Sequence, residues 1–241
     1  MSAKRTFVIG DVHGCLDELE RLLDAICPAA GDTLCFLGDY VDRGPSPKGV
    51  IERLIRLDAE GPKCLFLKGN HEDMFLAYLG YPGRYGDAFL LNGGETTVAN
   101  YGLHGLDGPA AAERLPSAHL DFLLNLRAQA QFGEFLCVHA GVRPTRPLEE
   151  QSEEDLLWIR EEFILNEHPF PVTVLFGHTP QRDVLLHLPY KVGLDTGLVY
   201  WNKLSSLELT SKDLYQLRRD DRRVERRSLA REFEQASAHI A

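Results

Sequence analysis

The sequence has 241 residues, of which 44% are hydrophobic and 26% charged, and its formal net charge is −10 at pH 7. A chain of this length buries enough apolar surface to form one large domain without disulfide bonds. The acidic charge argues against a protein dedicated to nucleic acid, so we expect no nucleic-acid partner.

The five cysteines include no Cys-x-x-Cys pair, and Cys35, Cys64 and Cys137 lie in apolar, strand-like runs. We expect these three thiols to be buried as small apolar groups. The basic start Met1–Arg5 is followed by an apolar run of only three residues. This is too short for a signal peptide, and no run approaches the roughly 20 apolar residues of a membrane span. We therefore expect a cytoplasmic protein with no membrane partner.

The first third of the chain repeats a strand, a glycine-rich loop and an amphipathic helix three times. Apolar runs predict the strands, and helical spacing of leucine and isoleucine predicts the helices. The predicted strands are Thr6–Ile9, Thr33–Leu37 and Cys64–Leu67, and the helices follow them at Leu16–Ile26, from Ser46-Pro47 and at Glu72–Leu79. This alternation predicts an α/β fold whose loops share one sheet edge.

The rest of the chain is predicted to complete a single domain, residues 1–241. A small excursion of helices and loops is expected at about 80–126, and a charged tail at about 211–241. Further elements are predicted as helices at Ser117–Leu126 and Leu156–Phe163 and as strands at Phe135–Val138, Val172–Phe176 and Ser205–Leu209. For Arg218–Ala241 we expect a solvated terminal helix, with a docking arm as the alternative.

Five strand-like runs end at a residue that could bind a metal ion. In chain order these residues are Asp11 with His13, then Asp39, Asn70, His139 and His178. A single aspartate after glycine is usually a turn residue, and a single buried histidine is usually a hydrogen-bonded core residue. Five such coincidences at one sheet edge instead indicate a common site.

Carboxylate and imidazole ligands together suit manganese, iron or zinc, and the lack of cysteine at these positions argues against a structural zinc site. We expect two divalent ions, with manganese favoured and iron, zinc or magnesium as alternatives, and with Asp39 bridging them. The predicted ligands are Asp11, His13 and Asp39 for the first ion and Asp39, Asn70, His139 and His178 for the second. Two such ions clamp a phosphoryl group and convert water into a hydroxide nucleophile.

Three more residues complete the predicted site. His71 follows the ligand Asn70, so we expect it to act as the general acid that protonates the leaving oxygen. Asp42 is expected to orient His71, and Arg43 is expected to hold phosphate oxygens. The alternative for Asp42 and Arg43 is an ion pair within their own loop.

At these residues the sequence resembles the phosphoprotein phosphatase branch of the calcineurin-like metallophosphoesterases, and most closely its bacterial and phage-type enzymes. The resemblance rests on Gly10-Asp-Val-His-Gly14, Gly38-Asp-Tyr-Val-Asp-Arg-Gly44, Gly69-Asn-His-Glu72, His139-Ala-Gly141 and Gly177-His178. It implies a sandwich of two mixed sheets flanked by helices. It also implies that Arg160 is a second phosphate-binding arginine, with a helix-surface arginine as the alternative. Asn92-Gly93-Gly94 resembles a loop of the bacterial enzymes, either a plain turn or a substrate contact.

The resemblance favours a serine/threonine protein phosphatase acting on a phosphorylated protein or a small phosphoester. The alternative is a symmetrical bis(5'-nucleosyl)-tetraphosphatase, which uses the same metals. Those enzymes typically have a small residue in place of Asp42 and end the third motif in aspartate, whereas this chain has Asp42 and Glu72. A remoter alternative is a non-catalytic, metal-free scaffold. The sequence carries no signal for an oligomeric state.

Overall fold

The computed structural model describes residues 4–219 and 221–238. It begins with the three predicted strand–loop–helix units. Their elements are β1 (Thr6–Ile9), α1 (Leu16–Ile26), β2 (Thr33–Phe36), α2 (Pro47–Glu60), β3 (Lys63–Phe66) and α3 (Asn70–Tyr78). Three short helices follow as α4 (Glu95–Tyr101), α5 (Gly108–Arg114) and α6 (Ser117–Leu124), preceded by 3₁₀ turns at Gly86–Ala88 and Leu90–Asn92. Among the described residues, no helix is both long and apolar enough to cross a membrane.

The second half of the chain supplies most of the remaining strands. Its elements are β4 (Gln129–Phe132), β5 (Phe135–Val138), α7 (Glu153–Trp158), α8 (Glu161–Ile164), β6 (Thr173–Phe176), β7 (Leu185–His187), β8 (Lys191–Gly193), β9 (Lys203–Glu208), β10 (Asp213–Arg218), β11 (Val224–Ser228) and α9 (Ala230–Ala238). Further 3₁₀ turns lie at Leu148–Glu150 and Leu198–Tyr200.

The strands form two mixed sheets. The first has the order β11-β10-β9-β1-β2-β3, with β1, β2 and β3 parallel and the other pairings antiparallel. The second has the order β4-β5-β6-β8-β7, with β5, β6 and β8 parallel and the two outer strands antiparallel. The α/β fold predicted from the sequence and the two-sheet sandwich implied by the resemblance are confirmed.

Alternate side chains of the central strands belong to different core layers. On β1, Val8 packs between the two sheets, whereas Phe7 and Ile9 pack against the helices outside the first sheet. On β5, Cys137 lies between the sheets and Leu136 faces the outer layer of the second sheet. Because successive side chains of a strand point to opposite faces, continuous apolar runs fit strands that are buried on both faces.

Two sequence predictions of secondary structure are wrong. The predicted helix Leu156–Phe163 is broken at Ile159 and Arg160, which separate α7 from α8. The predicted helix from Arg218 to the C-terminus is also incorrect over Val224–Ser228, which pairs with β10 as an edge strand. Only Ala230–Ala238 is helical, and residues 220 and 239–241 of that prediction lie outside the described residues. Since Phe233 of this helix packs against the core between the sheets, the tail is not simply solvated.

Candidate active site

The six predicted ligands follow β1, β2, β3, β5 and β6 at one edge of the sandwich, five of them in loops and Asn70 as the first residue of α3. All six side chains are buried, with exposures between 0 and 5%. They come from distant positions in the sequence. For example, the backbone N–H of His178 donates a hydrogen bond of 2.9 Å to Oδ2 of Asp11. The fold therefore brings together the residues that the sequence singled out.

Asp39 lies at the centre of the site. One carboxylate oxygen, Oδ2, is 3.3 Å from His13 Nε2, and the other, Oδ1, is 3.3 Å from His139 Nε2. Burial would raise the pKa of Asp39, but the surrounding histidines, His139 foremost, hold it below its usual value. A carboxylate that faces two imidazoles with separate oxygens has the geometry required of a bridging ligand.

Backbone carbonyls fix the orientation of two histidine ligands. His13 Nδ1 donates to the Val41 carbonyl (2.9 Å) and His139 Nδ1 donates to the Leu37 carbonyl (2.8 Å). Each ring consequently leaves Nε2 without a proton on the side of the site. Burial lowers the pKa of His13 to about 3 and also lowers the pKa of His139, which favours the neutral imidazole that metal binding requires.

Asn70 and His178 lie beside His139 in a second group of predicted ligands. Asn70 Oδ1 lies 3.0 Å from His139 Nε2 and 2.9 Å from His178 Nδ1. Two sets of potential ligand atoms result, and the atoms within each set lie within 4.8 Å of one another. Asp39 belongs to both sets. The first set contains His13, Asp39 and His71, and the second contains Asp39, His139 and His178.

Asp11 supplies the clearest sign that the site suits cations. Its Oδ1 is buried and has no hydrogen-bond partner in the described part of the chain. Burial, together with the nearby carboxylates of Asp195 and Asp39, raises the pKa of Asp11 well above its usual value. A buried carboxylate whose pKa is raised in this way needs nearby positive charge to remain ionised, so the surroundings of Asp11 fit a divalent metal ion.

His71 forms a buried dyad with Asp42. His71 Nδ1 is 2.6 Å from Asp42 Oδ2, and the other Asp42 oxygen accepts a hydrogen bond of 2.6 Å from the Thr97 hydroxyl. Burial lowers the pKa of His71, but the carboxylates of Asp39 and Asp42 outweigh it and leave the pKa raised. The His71 ring lies edge-on to the His13 ring, at a centroid distance of 4.7 Å.

The two predicted arginines lie in different segments of the chain. Arg43 Nη1 donates to His13 Nε2 (2.7 Å), and the Arg43 backbone N–H donates to the Gly93 carbonyl (3.0 Å). A Cβ on Gly93 would lie 2.6 Å from Arg43 Cγ, so glycine is needed for this close approach. Arg160, in the break between α7 and α8, is exposed, and its charge contributes to the lowered pKa of His178. Within the described residues, neither guanidinium forms an ion pair with a carboxylate.

Sequence reasoning missed the structural role of Glu72, which it used only as part of a motif. The buried Glu72 carboxylate accepts hydrogen bonds from the backbone N–H groups of Gly69 (2.9 Å), Asp39 (2.9 Å) and Tyr40 (2.8 Å). Burial, and then the charge of Asp39, raises the pKa of Glu72 to about 7. A glutamate at the third position of a helix, as Glu72 is in α3, is a capping signal that could have indicated this role.

Thr97 and Asp195 were also missed. Thr97 lies in α4, 55 residues from Asp42, so no local pattern connects the two. Asp195 is buried near Asp11 and accepts a hydrogen bond from the Gly197 backbone N–H (2.9 Å). Its position after the apolar run that forms β8 is the same signal that identified the other acids.

A buried set of carboxylate, amide and imidazole donors at one edge of a two-sheet sandwich defines the metallophosphoesterase class of hydrolases. The family model for calcineurin-like phosphoesterases matches residues 4–207. The chain therefore belongs to the calcineurin-like phosphoesterase family and is a hydrolase.

Several relatives are named as tetraphosphatases. The symmetrical bis(5'-nucleosyl)-tetraphosphatase of Dechloromonas aromatica is 36% identical over 141 residues, which are 58% of this chain and 44% of that protein. This chain therefore aligns with less than half the length of that relative. The asymmetrical bis(5'-nucleosyl)-tetraphosphatase PrpE of Bacillus cereus is 25% identical over 241 residues, covering 86% of this chain and 91% of that protein.

Solved structures of differently named enzymes share the fold. A candidate diadenosine tetraphosphatase has a TM-score of 0.69 and 24% identity, covering 89% of this chain and 93% of the other. The protein serine/threonine phosphatase of Saccharomyces cerevisiae has a TM-score of 0.60 and 14% identity, covering 93% and 79%. At these identities the likeness concerns the fold alone.

Proposed function

We propose that this protein is a dinuclear-metal-dependent phosphomonoesterase of the phosphoprotein phosphatase branch, acting on phosphoserine or phosphothreonine in proteins. The observation that carries this proposal is the buried His71–Asp42 dyad, 2.6 Å between Nδ1 and Oδ2. A serine or threonine alkoxide is a strongly basic leaving group that needs a proton as its bond to phosphorus breaks. A nucleotide leaving from a phosphoanhydride is already a weak base and gains little from such a proton.

The metal ligands that we propose are those expected from the sequence. Asp11, His13 and Asp39 would hold one divalent ion, and Asp39, Asn70, His139 and His178 would hold the other. When bound, such ions supply the positive charge that acidifies water and neutralises the phosphoryl oxygens. Manganese is the preferred ion of the proposal, with iron, zinc or magnesium as alternatives. The cellular location proposed is the cytoplasm, where five unpaired cysteines would stay reduced.

The protein's own residues then orient the substrate and deliver the proton. Arg43 and Arg160 would hold phosphate oxygens from two sides of the site, which their distinct loops allow. His71 would donate its proton to the leaving oxygen while the Asp42 carboxylate stabilises the charged imidazole ring. Glu72, through its hydrogen bonds to Asp39 and Gly69, keeps the two ligand loops in register.

The relatives' names favour a second candidate, hydrolysis of dinucleoside tetraphosphates. The deciding experiment compares kcat/KM for a phosphoserine peptide, a phosphothreonine peptide and a dinucleoside tetraphosphate, each with added manganese. We expect the phosphopeptides to be preferred. Efficient tetraphosphate cleavage with inert phosphopeptides would instead establish the second candidate.

A further inference from the structure

Two aromatic side chains are exposed beside the arginine proposed to bind phosphate. Tyr200 and Trp201, in the connection between β8 and β9, are 55% and 69% exposed. Arg43 Cζ lies 5.5 Å from the centroid of the Tyr200 ring. We call these two side chains the aromatic ledge. Because the same Arg43 guanidinium contacts His13, the Tyr200 end of the ledge adjoins the candidate metal ligands.

The ledge is held in place by its surroundings. The Arg219 guanidinium lies 4.3 Å from the centroid of the Trp201 ring, and Arg219 Nη1 donates to the Val199 carbonyl (3.0 Å). The Trp201 backbone N–H donates to the Leu198 carbonyl (3.1 Å). An exposed ring that is backed by a guanidinium and anchored at its backbone is a formed surface that can bind without further ordering.

A further exposed apolar side chain lies near Arg43 in the chain segment that contacts it. Leu91 is 90% exposed in the 3₁₀ turn Leu90–Asn92. This turn leads directly into Gly93, whose carbonyl accepts the Arg43 backbone N–H. Of the seven large apolar side chains exposed in the described ranges, Leu90, Leu91, Tyr200 and Trp201 lie within three residues of Gly93 or Tyr200, which each contact Arg43. Exposed apolar side chains near a proposed phosphate-binding arginine suit a binding surface.

We propose, on the basis of the phosphoprotein phosphatase function above, that the aromatic ledge and Leu91 bind apolar side chains that flank the phosphorylated residue of a protein substrate. An extended peptide advances about 3.3 Å per residue. With its phosphate at Arg43, side chains one or two residues away therefore reach the Tyr200 ring. Apolar side chains in the two segments that contact the arginine suit a peptide whose residues extend past the phosphate. The aliphatic side chain of Leu91 suits peptide side chains better than nucleobases, which stack on aromatic faces.

The test uses two phosphothreonine peptides of equal length and charge that differ only at the flanking positions, leucine and phenylalanine in one and serine in the other. We expect the native protein with manganese to favour the apolar peptide about tenfold in kcat/KM, chiefly through KM. Trp201→Ala and Leu91→Ser should each reduce that preference several-fold, and Trp201→Phe should retain most of it. Rates on p-nitrophenyl phosphate normalise each variant for folding and metal content.

Leu165→Ala is the matched control, because Leu165 is also exposed (74%) but belongs to the end of α8. It should leave the peptide preference unchanged. Equal turnover of both peptides, or a preference unaffected by the ledge variants, would overturn this proposal and leave the phosphatase function standing. Turnover of aryl phosphate but of neither peptide would overturn the protein-phosphatase function and this assignment with it. If the Trp201 variants instead lost only tetraphosphate hydrolysis, the ledge would be a nucleobase site.

Discussion

His71 and Asp39 have different proposed roles although both lie within the same cluster of buried donors. Asp39 faces two histidines with separate oxygens, whereas His71 directs Nδ1 at the Asp42 carboxylate. Removing His71 should therefore affect proton delivery, and neutralising Asp39 should affect metal binding. These outcomes separate the two roles at the scale of single residues.

Replacement of His71 by alanine should leave both metal ions bound and reduce kcat by roughly 10²–10⁴ for substrates with alkoxide leaving groups. Turnover of alkyl and aryl phosphates, with metal content measured on the same sample, checks this. Native-like rates on an alkyl phosphate would remove His71 from the mechanism.

The change Asp39→Asn should weaken both metal sites together, since a neutral amide bridges two cations poorly and carries no charge to offset theirs. Calorimetric titration with manganese measures the stoichiometry and affinity of each site. Retention of one ion at native affinity would contradict the bridging assignment.

Substitution of Thr97 tests the His71–Asp42 dyad through Asp42 Oδ1, the carboxylate oxygen that does not contact His71. Thr97→Val keeps the shape but removes the donor to Asp42 Oδ1 and leaves a buried carboxylate oxygen unpaired. We expect about a tenfold loss of kcat on alkyl phosphates, since a hydrogen bond to a charged group contributes about 1.5–3 kcal/mol. Thr97→Ser should restore most of the activity. A similar loss on p-nitrophenyl phosphate, whose leaving group needs little protonation, would point to general structural damage instead.

At the scale of elements, one buried carboxylate joins the start of β1 to the connection between α1 and β2. Asp32 accepts hydrogen bonds from the Arg5 backbone N–H (2.9 Å), Arg5 Nη2 (2.6 Å) and the Ala29 backbone N–H (2.9 Å). Burial would raise the pKa of Asp32, but these hydrogen bonds, led by that of the Arg5 side chain, lower it. The ionised carboxylate is thus favoured in the folded chain.

Asp32→Asn should lower the free energy of unfolding at pH 7 by about 1 kcal/mol, below the range for fully buried charged hydrogen bonds because Arg5 is partly exposed. Since the folded-state pKa is below the unfolded value of about 3.9, this contribution is present above that pH and is lost as the pH falls through the folded-state pKa. Urea unfolding of both proteins between pH 3 and pH 7 measures it. The exposed Asp24→Asn is the control, and a difference between native and Asp32→Asn proteins that is independent of pH would refute the linkage.

Elements also show where sequence reasoning succeeds and fails. The ligand loops were predictable because apolar runs ending in Asp, Asn or His are local signals. The break at Arg160 was not, because Leu156 to Phe163 has a helical pattern. Tertiary contacts override it: the Leu156 carbonyl accepts from the Ala140 backbone N–H, and the buried Lys191 donates to the Phe163 carbonyl. The strand Val224–Ser228 was hidden for the same reason, since its charged sequence becomes a strand only by pairing with β10.

For the molecule as a whole, the two-sheet architecture could be predicted from the sequence. The contacts that hold the residues of the candidate site in place could not. Two sheets with both faces covered follow from continuous apolar strands. The contacts of Thr97 with Asp42 and of Gly93 with Arg43 join segments about fifty residues apart. Such contacts depend on how the segment of helices and loops at about 80–126 packs against the loop after β2. No local sequence pattern specifies that packing.

Strand β11 is an edge strand of the first sheet, and its composition bears on whether two copies of the protein can pair through this edge. A strand with an unpaired side can recruit the backbone of another molecule and extend the sheet without limit. Strand β11 has the sequence Val-Glu-Arg-Arg-Ser, and its last four residues are exposed. Edge-to-edge pairing of two copies would strip water from Glu225, Arg226 and Arg227 and bring the arginines of both strands together, so this charged composition opposes extension of the sheet.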